Sequence, residues 1–151
     1  MRLVLVAAAL FLGLAGCSQP RSVTARPDLY KGPYRTAYLV VKPDQGKDMQ
    51  QHFERALQGQ GLAVVTGSSD TPTQQVDVIV RFNDRWFWDL VMYLQSLHIE
   101  MTDARSNVLL ASGDWANSAF HGFPNTAGVV TGLVNEMFIK LGAEPAQRQG
   151  P

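Results

Sequence analysis

Two segments of this chain each carry a single apolar stripe at helical spacing, and both stripes must be covered. In residues 47–60 the stripe is Met49, Phe53, Ala56 and Leu57, and Gly61 stands where a helix end takes a left-handed residue. In residues 126–141 it is Ala127, Val130, Val134, Met137 and Leu141, widened by Leu133 and Phe138, with Gly142 as the stop. Asn125 or Thr126 is placed to cap this second helix. The economical cover for two such stripes is one face of a sheet.

The rest of the sequence supplies the strands. Residues 36–42, "TAYLVVK", are a β-rich run broken by "KPDQG", and residues 62–68, "LAVVTGS", follow the first helix. From Val76 to Arg85 the chain alternates, with Val76, Val78, Val80 and Phe82 on one face and Asp77, Ile79, Arg81 and Asn83 on the other. Residues 93–102 and 108–115 flank "DARSN", whose Asp103, Ser106 and Asn107 favour a turn, and so form a hairpin. The order β-α-β-β-β-β-α predicts an α+β fold, a two-layer sandwich. Its mostly antiparallel sheet has about five strands, with both helices on one face.

The amino terminus predicts an address. Arg2 precedes an uninterrupted apolar and glycine run over residues 3–16, the layout of an export signal, too short to serve comfortably as a permanent membrane span. The run ends in Leu14-Ala15-Gly16-Cys17, which resembles the lipobox of bacterial lipoproteins at all four positions. The resemblance implies that small Ala15 and Gly16 admit a signal peptidase and that the Cys17 thiol takes up a diacylglycerol. Cys17 then becomes the first mature residue and gains an N-acyl chain. One acyl chain binds a membrane only marginally and two signals bind it stably, so three anchor the protein permanently. Ser18, where the sorting rule of such lipoproteins reads an aspartate as retention in the inner membrane, directs the chain to the outer membrane, facing the periplasm. An unmodified cysteine after an ordinary signal peptide is the alternative. Cys17 is the only cysteine, so the exported domain contains neither a disulfide nor a thiol ligand.

These features divide the chain into a signal peptide (1–16), a lipidated N-terminus and flexible tether (17–35), an α+β domain (36–142) and a frayed tail (143–151). The tether has prolines at 20, 27 and 33 and no sustained apolar period. Extended at about 3.3 Å per residue it reaches roughly 50 to 60 Å. Over residues 36–142 the element order is similar to the small α/β sandwich domains of Gram-negative envelope lipoproteins, LptE-like and LpoB-like. That likeness rests on order alone and brings no functional residue with it.

Loss of Arg2 with the signal leaves twelve basic against thirteen acidic side chains. Such a balance argues against a nucleic-acid partner, which would want a basic face. The aromatic stretch "RWFWDL" has two readings. On the alternation of the third strand, Trp86 and Trp88 continue the face of Val80 and Phe82 and close the core, while Phe87 points away with Arg81 and Arg85. Alternatively Trp86, Phe87 and Trp88 lie exposed on a loop, joined by Trp115, and form a contact surface for a partner protein or a membrane interface.

Catalytic constellations are weak. His121 has Ser112, Asp114 and Ser118 nearby without a nucleophile elbow, and Asp84 with Asp89 is a bare pair of carboxylates. His52, His98 and His121 are scattered without metal-ligand spacing. The sequence therefore predicts no cofactor beyond the lipid on Cys17, no metal, and a non-enzymatic lipoprotein that binds or helps assemble another envelope component. A carrier of lipid or peptidoglycan fragments, which needs an apolar cavity, is the first rival. An envelope hydrolase is the second.

Overall fold

The structure, a computed structural model, describes residues 20–46, 48–118 and 122–143. The export signal, Leu14 to Cys17, Ser18, His121 and the tail from residue 144 lie outside the described residues.

The elements are β1 (Arg21–Ala25), a short 3-10 turn (Pro27–Leu29), β2 (Thr36–Val40), α1 (Met49–Gly59), β3 (Ala63–Gly67), β4 (Val78–Trp88), β5 (Met92–Asp103), β6 (Leu109–Ala116) and α2 (Thr126–Lys140). All six strands join one sheet in the order β1-β6-β5-β4-β2-β3. Pairing is antiparallel from β1 through β4 and parallel for β4 with β2 and β2 with β3. The sheet is thus mixed, because the helical crossover from β2 to β3 sets those strands side by side in the same direction. Both helices cover one face, which makes the two-layer α+β sandwich.

One expected boundary moves. The stretch assigned to a flexible tether is ordered structure from Pro20 onward: β1 pairs with β6 over five residues, Arg21↔Trp115 to Ala25↔Ala111. The strand carries no sustained apolar signal because it lies at the sheet edge and buries only Val23. It is fastened at both levels of the sandwich. Lys140 Nζ on α2 donates to the Val23 carbonyl at 2.8 Å, and Arg21 pairs with Glu136 at 2.7 Å.

The principal core lies between helices and sheet. Met49, Phe53 and Leu57 from α1 and Val130, Leu133, Val134 and Met137 from α2 are buried against Leu39, Val78, Val80, Leu97, Ile99 and Met101. Phe53 stacks on Phe82 with ring centroids 4.3 Å apart, an arrangement worth about 0.5 to 1.5 kcal/mol beyond burial alone. Gly113 of β6 lets α2 approach the sheet. A Cβ there would stand 3.3 Å from Met137 Sδ and 3.4 Å from Leu133 Cδ2. The helices are joined to each other by Gln60 Nε2 donating to Asn135 Oδ1 at 2.5 Å. On the opposite face a small satellite cluster, Tyr38, Val40, Val76 and Ile79, is also buried.

Helix ends follow their local chemistry. Asn125 accepts the Gly128 N–H at 3.2 Å and caps α2, and Gly61 and Gly142 take positive φ just past the two helices.

Candidate functional site: an apolar hairpin tip

The alternation that begins at Val78 runs without a break to Trp88, so "RWFW" is strand rather than connecting loop. β4 and β5 pair as far as Trp88↔Met92, which leaves Asp89, Leu90 and Val91 as the turn. The opposing strand has one extra residue. Arg85 faces Ser96 and Trp86 faces Leu94, so Gln95 bulges out and the inward side of β5 switches from Leu97 to Leu94.

Beyond this bulge the side chains of the pair lack cover. Phe87 is 48% exposed, Trp88 66% and Leu90 84%, with Val91 and Met92 exposed beside them. Phe87 lies 5.8 Å from Tyr93, and Tyr93 lies 5.6 Å from Phe123 in the segment leading to α2. Phe123 is itself exposed. Asp89 is the one charge in the turn. Apolar surface gathered this densely at one end of a small domain is the kind of patch that contact sites are made of, which makes the tip the candidate functional site.

The four sequence-predicted rings separate. Phe87 and Trp88 belong to the tip. Trp86 is half-buried against the core; its Nε1 donates to Asp84 Oδ2 at 2.5 Å, and that oxygen also accepts the Gly46 N–H at 2.9 Å. Trp115 does not join the surface. It is 4% exposed and follows Ala111 and Gly113 on the helix-facing side of β6, where it packs into the principal core. Tip residues Leu90, Val91, Met92 and Phe123 were missed because they carry no motif; the signal available was their density around a single acid, five apolar side chains among residues 87–92.

The weak catalytic candidates have other partners. Asp84 is engaged by Gly46 and Trp86, whereas Asp89 sits in the exposed turn. Asp114 accepts from His98 Nδ1 across the β5–β6 pair at 2.7 Å, and His98 Nε2 faces Glu100 at 3.5 Å. Partial burial pulls the His98 pKa down, but the bonds to the two carboxylates outweigh it and the net direction is up. Among the described residues no group of three or more His, Cys, Asp or Glu is arranged to hold a metal, and no helix is long and apolar enough to cross a membrane.

The interior offers little to a carried ligand. Side chains from both layers fill the space between α1, α2 and the sheet. An open cleft of about 810 Å³ is lined by Arg21, Asp84, Arg85, His98 and Asp114 together with Leu97 and Trp115.

No protein-family model matches the sequence, and no curated protein matches it significantly. Solved structures do. The chain superimposes on the PelC dodecamer subunit from Paraburkholderia phytofirmans in two crystal forms. The TM-scores are 0.54 and 0.53 at 17% identity, over 83% and 84% of this chain and 99% of that one. It also superimposes on part of a PDZ domain protein from Parabacteroides distasonis, with a TM-score of 0.51 and 11% identity, over 87% of this chain and 36% of the other. The likeness is one of fold.

Proposed function

We propose that this chain is a periplasm-facing lipoprotein, anchored in the outer membrane through Cys17, that works by binding another component of the cell envelope and performs no chemistry of its own. The observation that carries the reading is the uncovered apolar tip of the β4–β5 hairpin, built on a domain whose core is already filled. Rings and aliphatic side chains standing in water at one end of a sandwich are surface held ready for a second body. The lipobox residues Leu14 to Cys17 support the address. PelC, a protein of this fold, is a dodecamer, which supports an assembly role for a domain of this shape.

Two measurements in intact cells test it. Feeding an alkyne-tagged palmitate labels the chain, and Cys17→Ser abolishes the label. A photo-crosslinking amino acid at position 88 captures an adduct that the same residue at position 73, in the exposed polar loop, does not. A mature chain without lipid, or identical adduct patterns at 88 and 73, overturns the proposal.

A further inference from the structure

The anchor and the tip leave the domain at the same end. Strand β1 starts there: the Pro20 carbonyl accepts the Ala116 N–H at 3.1 Å, Ala116 faces Ser96, and Ser96 faces Arg85. Pro20 therefore stands level with Arg85, and the tip is what lies beyond that level. From Arg85 to Trp88 the hairpin advances three residues, about 10 Å at the rise of a strand. From Pro20 back to Cys17 the chain also has three residues, which span at most about 10 Å when extended. A lipidated Cys17 can thus lie no farther out than the end of the hairpin, and its acyl chains draw the apolar tip to the surface they enter.

The side chains are layered to suit that surface. Leu90, Val91 and Met92 are outermost, with Trp88. Phe87 and Tyr93 form the next pair, and exposed Arg85 stands about 10 Å behind Trp88. Aliphatic groups and the Trp88 indole foremost, the Phe87–Tyr93 pair behind them and a cation behind that follow the order in which a bilayer presents hydrocarbon, interface and phosphate. Asp89, the one charge in the turn, keeps its carboxylate in water and so limits the penetration to a shallow one.

We infer that the tip of the β4–β5 hairpin enters the same membrane leaflet as the acyl chains of Cys17, so that the protein meets the bilayer at two points. The inference rests on the proposed anchor and names the lipid leaflet as the component that the tip binds. Two attachments fix the orientation of the domain, which a three-residue link alone does not do.

The test uses the full lipidated protein reconstituted in phosphatidylethanolamine–phosphatidylglycerol vesicles, with and without dibrominated phosphatidylcholine. Tryptophan emission of the native chain falls in brominated vesicles, and Trp88→Phe removes most of that loss because Trp86 and Trp115 are sheltered in the domain. Leu90→Asp reduces the loss while Trp88 is kept. Both substituted positions are exposed, and an unchanged circular dichroism spectrum verifies the fold. Equal quenching in native and Trp88→Phe chains, with Trp88 open to aqueous acrylamide, overturns the inference, leaves the anchor standing and assigns the tip to a protein partner. An intact mass without acyl chains overturns both, since the geometry starts from Cys17.

Discussion

Trp86 and Asp84, two residues apart on the helix-facing side of β4, share one hydrogen bond, and Gly46 closes the arrangement from the loop before α1. The indole Nε1 gives its proton to Asp84 Oδ2, and the Gly46 N–H reaches the same oxygen. A Cβ on Gly46 would lie 2.7 Å from Nε1 and 2.8 Å from the adjoining ring carbons. The ring fills the space because its polar edge is satisfied there, and so the base of the hairpin is covered while its tip is bare.

Gly46→Ala should therefore displace the indole and break its bond to Asp84. The expected cost is about 1 to 3 kcal/mol, read as a lower urea midpoint with a shifted Trp emission maximum. An unchanged midpoint would show that the ring moves aside freely.

Ring position, rather than ring size, should decide the effect of truncating the tryptophans. Trp115→Ala opens the core and is expected to cost about 3 to 5 kcal/mol. Trp88→Ser should change stability by no more than about 0.5 kcal/mol. Equilibrium denaturation of both variants checks the contrast, which collapses if Trp88→Ser unfolds the domain.

Acid should weaken the fold through Asp103, at the other end of β5 from the tip. Burial pushes this carboxyl up, but the Tyr34 hydroxyl at 2.7 Å, the Ser106 N–H and hydroxyl at 2.8 Å each, and the Arg105 N–H at 3.0 Å reverse that and hold it down to about 2, against an ordinary 3.8. Since the folded value is the lower one, the stabilisation is complete above about pH 4 and disappears as pH falls towards 2, on the order of 2 kcal/mol in all. Stability measured between pH 5 and 2 should drop in the native chain and drop less in Asp103→Asn.

His98 should act in the opposite sense. Its pKa is raised in the fold, so its contribution is full below the ordinary value of 6.5 and is lost as pH rises through the higher folded value. The pair is largely open to solvent, so the effect is small. Titration of the imidazole by NMR should give a midpoint above 6.5 that returns towards it in Asp114→Asn.

Most of the architecture is legible in periodicity. The two helices and the five strands after residue 35 fall within a few residues of their expected positions, because each is a periodic or β-rich run with a glycine, proline or turn cluster at its ends. Asn125, rather than Thr126, proves to be the cap. Strand β1 is hidden because an edge strand with one buried residue reads like linker, and only its long-range pairing with β6 declares it. At the candidate site, alternation correctly sends Trp86 and Phe87 to opposite sides. It cannot tell that the loop before α1 brings Gly46 against the strand, which is what lies over Trp86 and not over Trp88. Trp115 shows the converse: it lies on the same helix-facing side as Trp86 and Trp88, but level with Leu97 and Asp84 within the sheet, where the core covers it.

The placement of β1 also determines how the domain bears load. A tug along the strand axis on a chain held at Pro20 strains all five rungs of the β1–β6 ladder together, in shear, instead of peeling them one after another. Lys140 and Glu136 brace the same strand from the last helix, so the edge from which the proposed anchor segment departs is held by both layers of the sandwich.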